Sequence, residues 1–418
     1  MPRTLVIQLA RFGDLLQSAR LLRTLAADGA NAVHLCLDRS LEPLARLVFP
    51  HVTVHALTAH GVAPATTAAF LAANRGTLHE LAGYEFSAVY NLNFSGLNFA
   101  LSALFPAERV RGYRMQDGQP LKDAWTDLAF RWTRHRASSP INLVDYWAAL
   151  APSPVAPEAV NPPARPGGRG VGVALAGRNA RRSLPPEVLA PVVHAVAKGI
   201  GAKKVWLLGS KAERPLARAL LKYANRELLD ATTDLSGATD WAGLINALTG
   251  LDVLITPDTG AMHLACHLGT PVLALFLASA WAWETGPYGR GHRVWQAVHE
   301  CTPCVESRPC DCGLRCLLPF RERAFLRALT RPDQPGSVPG LLGLVGDTDA
   351  LGVIYRATSG QDPRAEERAG LRGLLAAHLG MTGALVGSDP TSTVGPAQSL
   401  LHERDWLLQN ERTEQRID

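Results

Sequence analysis

The chain opens on TLVIQLA, an unbroken apolar run between Arg3 and Arg11, then the turn ARFGD, then LLQSARLLRTLAADG, where leucines recur at helical spacing until Gly29. A short continuous apolar run suits a strand buried on both faces, and leucines three or four apart lay one apolar stripe along a helix. The pattern predicts strand, loop, helix. The alternation continues with AVHLCLD as a strand, SLEPLARLVF as a helix, and SAVYNLNFSG as a strand running into a loop. Such a series is most economically met by a parallel sheet with helices on its faces.

Residues 151–170 read APSPVAPEAVNPPARPGGRG, too rich in Pro and Gly for either regular element, so a linker is expected there. A second series follows: GVGVALAG, KKVWLLGS, DVLITPD and TPVLALF read as strands, separated by helical stretches such as PPEVLAPVVHAVAKGI and TGAMHLACHLG. The expected organisation is an α/β fold with one Rossmann-like doubly wound domain over residues 1–160, a second over 161–329 and a C-terminal extension over 330–418. The extension is expected to be mostly helical, on the strength of PRAEERAGLRGLLAAHLG. Two such domains face each other across a cleft.

Composition excludes several classes. With 47% hydrophobic and 19% charged residues the chain is an ordinary globular one, neither disordered nor of low complexity. The longest uncharged apolar run, residues 271–283, falls short of the ~20 residues a bilayer-crossing helix needs and is closed by Glu284, so no transmembrane segment is expected. Residues 4–10 are too few for a signal-peptide core, which makes the cytoplasm the expected compartment. The net charge of +5 favours anionic substrates but lacks the basic runs of a nucleic-acid binder, so no nucleic-acid partner is expected.

Two loops carry candidate chemistry. The first is Arg11-Phe12-Gly13-Asp14, at the carboxyl end of the first strand, where doubly wound sheets bind ligands. Gly13 lets a ligand approach the backbone and Asp14 offers a carboxylate that can take a proton from an attacking hydroxyl; the alternative is that Asp14 caps a helix starting at Leu15. The second, Thr256-Pro257-Asp258-Thr259-Gly260-Ala261-Met262-His263, is again a strand-to-helix junction. There Asp258 and Thr259 can bond ribose or phosphate, Gly260 admits close approach, and the helix start favours an anion. His263 falls in the first helical turn, as part of that site or as a half-buried packing residue.

At this loop ITPDTGAMHLACHLGTPVLALF, followed by TGPYG, resembles the donor-binding signature of the glycosyltransferase family 9 heptosyltransferases. The opening LVIQLARFGDLLQSARLLRTL, then LLGSKAERPLARAL and DLSGATDWAGLINAL, resemble further segments of that family in the right order, from about Thr4 to Phe320. The resemblance implies a GT-B fold, an N-terminal acceptor domain, a C-terminal domain that binds ADP-heptose, and inversion at the anomeric centre without a catalytic metal or other cofactor. It implies Asp14 as general base, and Gly13, Asp258, Thr259, Gly260 and His263 at the donor. Arg182 matches the family's cation on the donor phosphate, with Arg178 and Arg181 as neighbouring alternatives. Glu213 matches an acidic position near the donor ribose, and also reads as a helix-start carboxylate. One departure stands out. The family's Phe-Gly-Pro-Thr is here Phe276-Leu277-Ala278-Ser279, and Trp281 and Trp283 follow; they read as core packing, with stacking on a ligand as the alternative.

Five of the seven cysteines lie in C-x2-C-x5-C-x-C-x3-C, which resembles a cysteine-bearing tail of that family. Cys301, Cys304, Cys310 and Cys316 are the expected ligands of a structural zinc or iron, with Cys312 spare; reduced free thiols or disulfides formed after isolation are the alternatives. Taken together, the resemblance implies an inverting transferase that moves heptose from an ADP-sugar to a hydroxyl of lipopolysaccharide core or another glycan, in peripheral contact with the inner membrane. A nucleotide-sugar epimerase of the same fold and a non-catalytic nucleotide-sugar-binding or assembly protein are the rivals.

Overall fold

The computed structural model describes residues 2–27, 29–60, 66–132, 135–175, 181–305, 308–331 and 336–381. The first sheet is built from β1 (Arg3–Gln8), β2 (Ala32–Asp38), β3 (Thr53–Leu57), β4 (Ala88–Asn91), β5 (Val110–Gln116) and β6 (Gln119–Lys122), in the order β3-β2-β1-β4-β5-β6. Its first five strands are parallel, and β6 returns antiparallel on β5. The apolar run of β1 does what a central parallel strand requires: Val6 joins the core cluster on one face, Leu5 and Ile7 the cluster on the other.

The second sheet contains β7 (Val171–Ala174), β8 (Val205–Leu208), β9 (Thr232–Asp234), β10 (Val253–Thr256), β11 (Val272–Phe276), β12 (Arg293–Ala297), β13 (Leu341–Thr348) and β14 (Val353–Ser359), in the order β14-β13-β12-β11-β10-β7-β8-β9. Each sheet reverses its winding once. From β1 the chain steps outward through β2 and β3, then crosses to β4; from β7 it steps through β8 and β9, then crosses to β10. The crevices at the carboxyl ends of β1/β4 and β7/β10 are therefore the places where such sheets bind ligands.

The extension differs from the expected mostly helical segment. Its predicted helix is present as Ala365–His378, but β13 and β14 form a hairpin antiparallel to β12 that continues the second sheet. Glycines concealed these strands. A Cβ on Gly346 would stand 2.4 Å from the Gly289 carbonyl oxygen, and one on Gly343 3.0 Å from Ser359 Cβ, so both serve close backbone approach inside a strand. The helix then returns to the first domain, where Arg368 Nη2 donates to the Ala137 carbonyl (2.9 Å) and Arg372 Nη1 to that of Pro140 (2.7 Å).

A buried knot fixes the two domains and the extension together. Asp145 accepts from Arg20 Nη1 (2.5 Å), Tyr288 Oη (2.5 Å) and the Val353 N–H (2.9 Å), while Arg20 also donates to the Leu351 carbonyl (2.8 Å). The carboxylate brought out of water here meets three donors and the guanidinium three acceptors, Asp145 and the Leu351 and Val155 carbonyls, which is the condition under which a buried ion pair is tolerated. One continuous apolar cluster joins Leu15 and Leu16 of the first domain to Met262 and Leu264 of the second.

Candidate active site between the two switch points

The loops after β1 and β10 meet. The first helix runs Phe12–Gln17 with Arg11 as N-cap, so Asp14 is its third residue and not the cap of a helix beginning at Leu15. The reason is local: Asp14 Oδ2 accepts from the Arg11 N–H at 3.0 Å, satisfying a helix-start donor from inside the first turn. This brings Gly13 against the second domain, where a Cβ on it would stand 3.3 Å from Gly260 Cα and 3.4 Å from His263 Cδ2.

Opposite it, Thr259 caps the helix Gly260–His267, its hydroxyl accepting from the Met262 N–H at 3.4 Å and lying 3.0 Å from that of Thr256. Asp258, only 7% exposed, accepts from Arg182 Nη1 (3.2 Å) and Thr285 Oγ1 (3.0 Å). It thus orients the cation expected on the donor phosphate. His263 is buried; its Nε2 lies 3.3 Å from the Gln17 amide nitrogen and 4.0 Å from Asp258 Oδ1. Burial pushes this imidazole down to about 4, against the opposing pull of the Asp14 charge, so it is neutral near pH 7 and presents no cation to a phosphate.

The other expected residues are placed as follows. Arg178 lies outside the described residues. Arg181 turns from the crevice: its Nη2 donates to Cys304 Sγ (3.0 Å) and its Nη1 to the Arg308 carbonyl. Glu213 stands just beyond the carboxyl end of β8, where its carboxylate accepts from the Ser210 N–H and closes a capping box. Trp281 and Trp283 are 5% and 6% exposed, ring against ring at 4.8 Å, with the Arg368 guanidinium 3.9 Å above Trp283. They pack as core.

Sequence reading misses Arg136 and Glu284, which lie 148 positions apart and carry no shared motif. The guanidinium of Arg136 meets Glu284 in a fork (Nε to Oε1 3.0 Å, Nη2 to Oε2 2.6 Å) and also donates to the carbonyls of Cys304 (2.8 Å) and Ser279 (3.2 Å). Burial pushes the Glu284 carboxyl up while Arg136 pulls it back, so the pair depends on both partners.

Arg136 and Arg181 both reach a cysteine knuckle after β12. The expected set of Cys301, Cys304, Cys310 and Cys316 is not the one whose donor atoms converge; among the described residues His299, Cys301 and Cys312 bring theirs within 4.8 Å of one another. Cys310 Sγ accepts from the Leu314 N–H at 3.4 Å, and it is the Cys312 thiol that stands with Cys301 and His299. Burial, then the neighbouring thiols of Cys312, Cys304 and Cys316, push the Cys301 thiol up to about 11. A bound cation would reverse that crowding, and one imidazole with soft thiols is a donor set that suits zinc or iron. His299 was legible as H-x-C at the head of the cluster.

At the switch point of the first sheet lies a cavity of about 860 Å³, lined by Asp14 and by Asn93, Phe94 and Ser95 of the loop after β4. Asn93 Oδ1 accepts from the Leu9 N–H (2.8 Å), tying the two crevice loops together.

Among the described residues no helix is long and apolar enough to cross a membrane. No curated protein matches the chain. Among solved structures, ADP-heptose lipopolysaccharide heptosyltransferase II of E. coli is similar at 17% identity, covering 79% of this chain and 99% of its own, with a TM-score of 0.53. The E. coli heptosyltransferase WaaC with ADP gives 16%, 71%, 93% and 0.54, and a glycosyl transferase family 9 protein of Veillonella parvula 15%, 71%, 88% and 0.51. These likenesses establish the fold as that of two facing Rossmann-like domains. Residues 194–312, within the second domain, match the model of glycosyltransferase family 9 (heptosyltransferase), and the fold shared with these solved structures extends across both domains.

Proposed function

We propose that the protein is an inverting glycosyltransferase that moves a sugar, heptose by its relatives, from an ADP-linked donor to a hydroxyl of lipopolysaccharide core or another glycan. The observation that supports this best is the approach of Gly13, the neighbour of Asp14, to the start of the helix Gly260–His267, whose preceding Asp258 holds Arg182. Asp14 takes the acceptor proton as the new C–O bond forms at the anomeric carbon. The bond to the diphosphate oxygen breaks on the opposite face, and its electron pair leaves with ADP. Arg182, oriented by Asp258, and the N-terminal end of the helix Gly260–His267 stabilise the leaving charge. No step passes through a metal; zinc or iron held by His299, Cys301 and Cys312 would brace the knuckle that carries Arg136 and Arg181. The reading places the enzyme in the cytoplasm, with peripheral contact to the inner membrane where such acceptors are presented.

The test is product mass spectrometry with ADP-heptose and a panel of saccharide acceptors. The expected result is ADP release coupled to acceptor mass gain. An altered nucleotide-sugar formed without acceptor identifies an epimerase, and nucleotide binding without turnover a binding protein; either outcome overturns the proposal.

A further inference from the structure

The pairing of Arg136 with Glu284 does more than join the two domains. Arg136 opens the short turn Arg136–Ser138 of the first domain, and the backbone around it is fixed by the extension, whose Arg368 and Arg372 donate to the carbonyls of Ala137 and Pro140. From this anchored position its guanidinium crosses into the second domain and distributes its donors over three places: the Glu284 carboxylate, the Ser279 carbonyl and the Cys304 carbonyl. A planar fork of N–H donors holds three groups in one fixed arrangement, which the point charge of a lysine does not.

All three places lead to Arg181 and Arg182. Glu284 is followed by Thr285, whose Oγ1 donates at 3.0 Å to Asp258 Oδ2, the same oxygen that accepts from Arg182 Nη1 at 3.2 Å. Ser279 Oγ donates to the Arg181 carbonyl at 3.0 Å and so fixes the peptide from which Arg182 projects. Cys304 Sγ accepts from Arg181 Nη2, also at 3.0 Å. Charge links the same groups. Burial and, less strongly, the charge of Asp258 push the Glu284 carboxyl up, and Arg136 opposes them, so the two carboxylates sense each other across this region.

We infer that Arg136 is a positioning residue for the donor diphosphate: from the first domain it gathers the second-domain segments that set the place and direction of Arg182. This rests on the proposed glycosyl transfer, with Arg182 as the cation on the donor phosphate, and it assigns to the acceptor-side domain a part in holding the donor.

The test is a binding cycle on the full chain, with ADP titrated calorimetrically and adenosine, which lacks the phosphates, followed by saturation-transfer NMR. Arg136→Lys keeps the charge beside Glu284 and loses the fork. It should weaken ADP binding by about tenfold and leave adenosine binding within twofold, the scale of one lost charge-assisted hydrogen bond. Arg182→Met should weaken ADP binding at least as much, and adding Arg136→Lys to it should cost less than a further twofold, because the side chain that Arg136 positions is already gone. Should Arg136→Lys fail to fold, Arg136→Met with Glu284→Gln removes both charges of the pair and is expected to show the same selective loss of ADP. A merely structural role would weaken ADP and adenosine alike and add in the cycle. Losses that are additive, losses shared by adenosine, ADP affinity indifferent to the Arg136 variants, or ADP affinity indifferent to Arg182→Met would overturn the inference while the glycosyl-transfer reading stands. Failure of the unsubstituted chain to bind ADP would instead remove that reading.

Discussion

The ring of Phe12, from the first domain, points head-on at Gly260, the first residue of the helix in the second: a Cβ placed on Gly260 would stand 2.2 Å from Phe12 Cζ. The ring has little room to yield, being braced edge-on by Trp241 at 5.1 Å. Gly260→Ala is therefore expected to push the domains apart at the crevice, costing about 1–3 kcal/mol of stability, the usual range for overpacking. Phe12→Ala should remove the clash, so the double variant should be more stable than the sum of the single losses predicts. A double-mutant cycle by chemical denaturation reads this directly, and strictly additive losses would show that the contact does not couple the two positions.

Asp14 tests whether the helix-start carboxylate also does chemistry. Asparagine keeps an oxygen able to accept from the Arg11 N–H, so Asp14→Asn should unfold within a few degrees of the wild type. It cannot take a proton from an acceptor. Transfer should fall by about 100- to 10,000-fold with donor affinity retained. Near-normal turnover in a folded variant would reduce Asp14 to its capping bond.

The parts of this molecule that were legible in the sequence are those whose cause is local. An unbroken apolar run made β1, leucine spacing made the helix that follows, and strand-turn-helix junctions placed Asp14 and Thr259 at carboxyl ends of strands. What was not legible depends on residues far apart. Arg136 pairs with Glu284, Gln17 with His263 and Phe12 with Gly260 only because the domains close on each other, and no spacing announces this. The β13 and β14 hairpin was hidden by glycines that read as loop and serve tight packing. Arg181 and Arg182 are adjacent and of one residue type, so only the fold sends one to Cys304 and the other to Asp258.

The knuckle gives a prediction that differs from the spacing alone. Protein purified under reducing conditions should hold about one zinc or iron per chain, and Cys301→Ser or Cys312→Ser should lose it, because these thiols and His299 converge. Cys310→Ser should keep the metal. Elemental analysis of the three variants decides, and loss from Cys310→Ser with retention in Cys312→Ser would restore the four-cysteine set of Cys301, Cys304, Cys310 and Cys316.

His292 is wholly buried with no hydrogen-bond partner for either ring nitrogen among the described residues, and burial pushes it down to about 4 from its ordinary 6.5. Its folded-state value is thus the lower one. Above pH 6.5 the ring is neutral in both states and its contribution is fully present; as pH falls from 6.5 toward 4 the unfolded chain takes up a proton that the folded chain refuses, and stability is lost. The full loss is at most about 3 kcal/mol. Replacing the imidazole with an apolar group of similar size removes both the unpaired nitrogens and this proton. His292→Leu is accordingly expected to gain on the wild type by about 2–3 kcal/mol between pH 7.5 and pH 4.5 in urea unfolding. Parallel stability curves for the two proteins across that range would mean that His292 is solvated or partnered in solution and titrates near its ordinary value.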